Sequence, residues 1–269
     1  EKVSKARVFQ RDETSYIMFY SSEGLLTYDY RPMATLGVVC VMEKDGEIEN
    51  DYSARSVRQG FEFMTDDVVE ELAQEAVKKT NFLFGAGKPK AGELPVVLGA
   101  GGSGILLHEA MGHPFEADFN RKGESIFSDK MGKSIAKDFI NIVEDGTMEN
   151  NRGALNIDDE GNDVKKVYLV KDGVLESYLH DRISAKHYGV EPTGNGRRQS
   201  FRHMPIPRMR ITYMENGPHT TDDIISSVDY GVYVDNFTNG QVKIGAGDFT
   251  FFVLRIGAVD TEVFDEWIA

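Results

Sequence analysis

Residues 94–114 read Leu-Pro-Val-Val-Leu-Gly-Ala-Gly-Gly-Ser-Gly-Ile-Leu-Leu-His-Glu-Ala-Met-Gly-His-Pro, a run with the signals of a strand, a turn and a helix. The apolar segment Leu94–Leu98 predicts a strand, and Gly99–Gly104 predicts a tight turn that opens a helix. That helix is short, because Pro114 disfavours the helical conformation in the residue before it. Its last turn carries His108 and Glu109, and we expect both side chains to lie beside a cleft.

The chain on either side of this run predicts an α+β protein of two units, with mostly antiparallel sheets and few helices. Residues 1 to about 60 have the alternation and turn residues of strands, and 65–79 follow with helical spacing behind an N-capping threonine. The glycines and proline of 85–93 form a candidate linker. We therefore assign a first unit to residues 1–88 and a second, β-rich unit to residues 93–269.

Composition and charge exclude several classes of function. Acidic residues outnumber basic ones by 44 to 30, and the formal net charge of −14 repels phosphate backbones. We therefore expect no direct nucleic-acid partner. No apolar run reaches the roughly 18 residues of a membrane span, so no membrane partner is expected either. The single cysteine, Cys40, excludes an intramolecular disulfide, and a reducing cytoplasm fits this composition.

A dinucleotide site is one interpretation of the glycine-rich turn. Gly99–Gly104 fits G-x-G-x-x-G and lies between a predicted strand and a predicted helix, as such a site requires. The helix is short for a crossover connection, however, and Phe115–Arg121 offers no apolar second strand that ends in an acidic residue. A tight strand-to-helix turn explains the glycines better.

The spacing of the two histidines imposes a geometric condition on any metal site. Histidines four apart, as in H-E-x-x-H, lie about 40° from each other around an α-helix, whereas histidines five apart lie about 140° from each other. His108 and His113 are five apart, so the helix must loosen or end before His113. Gly112 permits this, and Pro114 is expected to push His113 out of the α region. Two ordinary helix-end histidines are the alternative to a metal site.

Several segments, taken in order, resemble one known family. They are Gly104–His113, Asp118–Arg121, Asp145–Met148, Ile157–Gly161, Pro192–Arg198 and His203–Met209. Together they resemble the TldD branch of the TldD/PmbA family, historically labelled modulators of DNA gyrase. The resemblance runs from about residue 15 to about residue 252. The partner branch of the family lacks the H-E-x-x-x-H residues that this chain keeps.

This resemblance implies a cytoplasmic zinc metallopeptidase that cleaves peptides or unfolded protein segments. It makes His108 and His113 the ligands of Zn²⁺. It makes Glu109 the general base, which activates the zinc-bound water and then passes the proton to the leaving amine. It also implies assembly as a homodimer, or as a heterodimer with a PmbA-type (TldE) paralogue.

The third zinc ligand of the family is a cysteine from a later C-terminal segment, and this chain has no cysteine after Cys40. Cys40 belongs to a different unit and a predicted core strand; His203, Glu116 and Asp118 are further candidates in principle. The chain also starts at Glu1 without a methionine and lacks the family's additional N-terminal portion, so we expect a piece of a longer protein. A metal-incomplete, non-catalytic binding subunit of a TldD/TldE-type complex is therefore the alternative function.

Arg198 and His203 are the candidate substrate-binding residues. They lie, with Arg197, in a stretch bounded by glycine and proline where a cleft wall is expected. A guanidinium fork suits a peptide carboxylate or a backbone carbonyl. Solvated or paired loop residues are the alternative interpretation.

Overall fold

The computed structural model describes residues 2–86, 91–101, 104–260 and 267–268. The strands are β1 (Lys2–Tyr20), β2 (Leu26–Lys44), β3 (Glu47–Val57), β4 (Val96–Leu98), β5 (Ile142–Asp145), β6 (Lys166–Lys171), β7 (Val174–Leu175), β8 (Gly196–Arg197), β9 (Ile206–Pro207), β10 (Thr212–Met214), β11 (Tyr230–Lys243), β12 (Asp248–Asp260) and β13 (Trp267–Ile268). The α-helices are α1 (Asp66–Leu83), α2 (Gly104–Leu107), α3 (Ala117–Arg121), α4 (Arg182–Tyr188) and α5 (Thr221–Ser226). This arrangement confirms the predicted α+β class with antiparallel sheets and few helices.

Strands β1, β2 and β3 form an antiparallel meander. The turn between β2 and β3 has positive φ at Asp45 and Gly46, the conformation that matches the twist of paired strands in tight hairpins. One face of β2 is buried under α1, and Cys40, which is 2% exposed, belongs to this core. The predicted core role of Cys40 is therefore confirmed.

Helix α1 has an N-capping residue, acidic residues in its first turn and an apolar face, all of which favour a helix. The hydroxyl of Thr65 accepts a hydrogen bond from the amide of Val68, and Asp66 and Asp67 place negative charge in the first turn. Leu72 and Ala76, spaced for one helical face, are buried against the sheet. The helix ends at Leu83, shortly before Gly85.

Two further sheets and a buried core follow α1 in the chain. One sheet has the antiparallel order β10-β5-β6-β7, and the other has the order β13-β12-β11-β4, in which β4 pairs parallel to β11. A buried core that includes residues of β5, β6 and β7 contains Phe115, Ala117, Ile142, Leu169, Val170, Leu175, Tyr178, Leu179 and Met209. The parallel pairing with β11 fixes the position of the strand Val96–Leu98, which lies a few residues before α2 in the chain.

A buried carboxylate ties the first sheet to the loop after β5. Asp29, in β2, accepts hydrogen bonds from Arg31 Nε at 2.7 Å, Asn156 Nδ2 at 2.7 Å and Arg58 Nη2 at 3.3 Å. Arg31 in turn donates to Asp159 Oδ1 at 2.8 Å. We call these five residues the Asp29 cluster. The carboxylate of Asp29 is wholly buried, so its charge is compensated by protein groups.

Candidate metal centre

The two histidines lie at the ends of a π-helical turn. His108–Gly112 form this turn, and the amide of His113 donates to the carbonyl of His108, a bond between residues five apart. Because an i→i+5 turn holds more residues than an α turn, residues five apart return to the same side of the helix. The predicted loosening of the helix before His113 is confirmed.

The expected role of Pro114 is wrong. His113 keeps α-region dihedrals, φ −60° and ψ −45°, and begins a 3₁₀ turn that runs through Phe115. Pro114 is tolerated there because the first residues of a helical turn need no amide donor. The change of geometry therefore comes from the wide turn before His113 and not from an extended residue at His113.

Gly112 makes room for the wide turn. A Cβ atom at Gly112 would collide with the side chain of Met209, whose Sδ is its nearest neighbour and whose Cε would lie at 3.0 Å. Met209 belongs to the core around Phe115, and Leu107 and Met111 pack against the same core. The apolar residues of this segment thus face the core, and its histidines remain free to face a cavity.

His108, Glu109 and His113 come together as a cluster. One potential ligand atom from each residue lies within 4.8 Å of the others. The two imidazole rings are 4.7 Å apart between centroids and nearly perpendicular, at 84°. Two imidazoles and a carboxylate at this separation are donors that suit Zn²⁺.

Glu109 is held by the β11–β12 hairpin, which sequence reasoning missed. A Cβ at Gly240 would lie 2.9 Å from Glu109 Cγ and 2.5 Å from Phe251 Cε1. Only a residue without a side chain lets the strand approach Glu109 so closely. A glycine inside a strand is a recognised sign of such an approach, and this was the signal available in the sequence.

A buried carboxylate stands behind His113. Glu116, 0% exposed, places Oε1 3.2 Å from His113 Nδ1 and Oε2 3.1 Å from Arg208 Nη1. The ring N–H of His113 does not point directly at Oε1, so this contact is close but poorly aligned. Arg208 also lies 3.6 Å from Asp118. Glu116 and Asp118, both candidates for a third ligand, therefore face Nδ1 of His113 and Arg208, and the cluster described above does not include them.

The protonation of the two histidines differs. Loss of surrounding water, and then the nearby His113, lowers the pKa of His108. The carboxylate of Glu116, 3.2 Å from Nδ1, raises the pKa of His113, against the opposing effect of burial. Burial raises the pKa of Glu116, although His113 and Arg208 oppose this. His108 is thus biased towards the neutral form that binds metal. In a neutral His113 that keeps its proton on Nδ1, that proton faces Glu116 and Nε2 is left for a metal.

A cavity of about 380 Å³ adjoins the cluster. His108, His113 and Glu116 line it on one side, and Arg197, Arg198 and Arg208 are among the residues that line the remainder. The predicted substrate residue Arg198 therefore shares a cavity with the histidines. His203 does not line it; this exposed residue lies on a turn, with Nδ1 3.0 Å from Ser200 Oγ.

The metal-ligand atoms in this cluster suit zinc, although they come from few residues. His108 and His113 offer two imidazoles, and a carboxylate behind His113 is the usual means of orienting a metal-binding histidine. Within the residues that the structure describes, the cluster contains no further donor than Glu109. Cys40 is not part of it, since it is buried in the sheet beneath α1.

Comparison with known proteins identifies the family. Residues 91–259 match the family model of the PmbA/TldA metallopeptidase C-terminal domain, and residues 1–81 match that of the PmbA/TldA metallopeptidase central domain. The chain therefore belongs to the PmbA/TldA metallopeptidase family, as its ordered segments predict.

Curated relatives of the chain are named as metalloproteases of the TldD type. The chain is 40% identical over 259 residues to the metalloprotease TldD homolog of Buchnera aphidicola, covering 92% of this chain and 54% of the relative. It is 43% identical over 240 residues to the homolog of Haemophilus influenzae, covering 87% and 50%. It is 32% identical over 244 residues to the zinc metalloprotease TldD homolog of Saccharolobus solfataricus, covering 90% and 54%. The chain thus spans about half the length of the curated relatives it matches.

Solved structures share the fold. TldE from Thermococcus kodakarensis superposes with a TM-score of 0.74 at 22% identity, covering 92% of this chain and 55% of that protein. A putative modulator of a DNA gyrase from Thermotoga maritima gives 0.81 at 20% identity, covering 97% and 58%. In the described part of our structure, no helix combines the length and apolar character needed to cross a membrane.

Proposed function

We propose that this chain carries the catalytic centre of a zinc-dependent peptidase that cleaves peptides or unfolded protein segments. The observation that carries the proposal is the π turn at 108–112, which brings His108 and His113 together with Glu109 between them. A turn of this kind is rare and is frequent at functional sites. Membership of a metallopeptidase family supports the same chemistry.

His108 and His113 would hold the metal, and Glu116 would orient His113 through its Nδ1 proton. Bound Zn²⁺ would supply Lewis acidity that polarises the scissile carbonyl and lowers the pKa of water. Glu109 would take a proton from the attacking water on a carboxylate oxygen and return it to the leaving amine. The contact of Glu109 with Gly240 would fix the position of that carboxylate.

Assembly, location and domain division are further parts of the proposal. One solved relative in fold is a TldE protein, which supports assembly with a TldE-type paralogue or with a second copy. We propose a cytoplasmic location, which suits a chain whose single cysteine is buried and free. We also propose the division into units at residues 1–88 and 93–269.

The test replaces Glu109 with glutamine. Glu109→Gln should reduce cleavage of an unstructured peptide by at least about a hundredfold, because general-base catalysis contributes on that order. The zinc content, measured by atomic absorption after gel filtration, should stay that of the unmodified chain. Glu176→Gln, a change at an exposed glutamate, is the matched control and should cleave normally. Undiminished turnover by Glu109→Gln would remove the assignment.

A non-catalytic binding subunit is the second candidate. It is favoured by the small donor set, since catalytic zinc sites normally use three protein ligands. Equilibrium dialysis of the full chain against zinc separates the candidates. One tightly held zinc per chain contradicts the binding subunit, whereas weak retention together with absent cleavage supports it.

A further inference from the structure

We propose that Arg197 and Arg198 bind a carboxylate of the peptide substrate in the cavity beside His108 and His113. This inference rests on the proposed function in one respect: it assumes that the ligand is a peptide. The anion site itself follows from the charges around the cavity.

The arginines and the histidines line the same cavity of about 380 Å³. This size lies within the range of roughly 300–1,000 Å³ that is usual for small-ligand pockets. The backbone of Arg197 is fixed there, because β8 pairs with β9 and sets Arg197 opposite Ile206. The amide of Arg198 donates to Asp159 Oδ2 at 2.9 Å. A ligand that reaches the histidines therefore meets two positioned arginines.

The three arginines of the cavity differ in how their charge is compensated. Arg208 is paired with Glu116 at 3.1 Å and with Asp118 at 3.6 Å. Within the described ranges, neither Arg197 nor Arg198 has a carboxylate at ion-pair distance from its guanidinium. Two positive charges thus remain available in a chain whose formal net charge is −14.

Backbone carbonyls orient these two guanidinium groups. Arg197 Nη1 donates to the carbonyl of Met209, and Arg198 Nη2 donates to the carbonyl of Asp159 at 3.2 Å. A carbonyl holds a guanidinium in place but does not neutralise it. Arg198 still has donors to spare, because a guanidinium carries five N–H groups in a planar fork. That fork matches the two oxygens of a carboxylate.

A peptide has two sources of carboxylate, the free C-terminus and an acidic side chain. A site for the terminal carboxylate selects substrates cut near the C-terminus, and a site for side chains selects acidic sequences. Both use the same chemistry at Arg197 and Arg198. Peptides that carry only one of the two carboxylates distinguish a site for the C-terminus from a site for acidic side chains.

The experiment measures binding by fluorescence anisotropy to the full chain in EDTA, so that no carboxylate binds through metal. Three labelled tetrapeptides of otherwise equal sequence are compared: a free acid with glutamine, a C-terminal amide with glutamine, and a C-terminal amide with glutamate. At least one carboxylate peptide should bind about tenfold more tightly than the amide with glutamine. The free acid reports a terminal site, and the glutamate peptide reports a side-chain site.

Variants locate the site. In Arg198→Gln and Arg197→Gln the preference should shrink to about twofold or less, and Arg198→Lys should keep part of it because it keeps the charge. Arg202→Gln is the matched control, since Arg202 lies over the ring of Phe201 and does not line the cavity. Should a variant fail to fold, the salt dependence of the unmodified chain serves instead, and the preference should fall between low and high NaCl.

Equal affinity for all three peptides, or failure of all three to bind, would overturn the inference. A preference that survives in both Arg197→Gln and Arg198→Gln would also overturn it. The result is separable from the proposed function. If Glu109→Gln cleaves normally while the binding preference persists, the peptidase mechanism is wrong and the carboxylate site is retained. If Glu109→Gln loses cleavage but no binding preference is found, the peptidase mechanism is retained and the carboxylate site is wrong.

Discussion

At the scale of single residues, the site depends on where side chains are missing as much as on where they are present. Gly112 lies against Met209, and Gly240 lies against Glu109, each at a distance that admits no Cβ without movement of the neighbour. Neither glycine has a positive φ, so conformational freedom does not explain them. Their role is close approach between elements. Such a role depends on the partner, which a sequence does not name.

His180 provides a residue-scale prediction about pH. It is 3% exposed, and burial lowers its pKa to about 4, with Asp181 opposing and Lys165 adding to the shift. Tyr178 and Tyr188 pack around the ring. Above about pH 6.5 the residue is neutral in both states and has no effect on the pH dependence. Between pH 6.5 and pH 4 only the unfolded chain takes up the proton, so the free energy of unfolding falls by up to about 3 kcal/mol.

The check compares urea unfolding of the unmodified chain with that of His180→Gln across this pH range. The loss of stability between pH 6.5 and pH 4 should be smaller in His180→Gln. His187→Gln, which changes an exposed histidine, should retain the full loss. Parallel curves for the unmodified chain and His180→Gln would show that His180 does not carry this linkage.

At the scale of elements, local sequence signals predicted the helices and strands well, but they did not predict which distant elements pair. The strands before residue 60, the helix behind Thr65 and the loosened helix before His113 all follow from spacing, turn residues and capping chemistry. The parallel pairing of β4 with β11, and the approach of the β11–β12 hairpin to Glu109, join residues far apart in the chain. No local pattern encodes such partners. The geometry at His113 was mispredicted because Pro114 favours an extended predecessor only on average, and a 3₁₀ turn accommodates it.

The hairpin at Gly240 yields the element-scale prediction. In Gly240→Ala the new Cβ pushes on Phe251 and on Glu109 Cγ, which displaces the carboxylate. Peptide turnover should fall at least about tenfold, since a displacement on the ångström scale is costly for catalysis. Zinc content should not change, because the atoms nearest to the new Cβ belong to Phe251 and Glu109 and not to His108 or His113. Gly85→Ala is the matched control; its Cβ would meet only the Phe82 carbonyl at 3.8 Å. A Gly240→Ala chain with full turnover would mean that the hairpin does not position Glu109.

At the scale of the whole molecule, the Asp29 cluster is the joint between the first sheet and the loop that follows β5. Its carboxylate is buried and shared by two arginines and one asparagine. Breaking a buried ion pair by removing one partner is expensive, because the remaining charge loses its compensation. The cluster thus links the stabilities of the two proposed units.

Asp29→Asn tests this joint. The change should lower the free energy of unfolding by about 3 kcal/mol and should separate unfolding into two steps. Glu13→Gln removes the partner of Arg11 in an exposed pair and should change stability by less than about 0.5 kcal/mol, with one step. Urea titrations followed by circular dichroism and by tyrosine fluorescence provide the measurement. A single step and a small loss in Asp29→Asn would argue against a joint at this position.

The π turn at His108–Gly112 also sets the rotational phase of the chain that follows it. One additional residue in the turn makes the chain enter the 3₁₀ turn rotated back relative to a continuous α-helix. In that phase Phe115 points into the core, where it is 0% exposed, and His113 faces the cavity. Adding or removing one residue here would shift both side chains out of place together. The site therefore depends on the number of residues in this segment as much as on the identity of its two histidines.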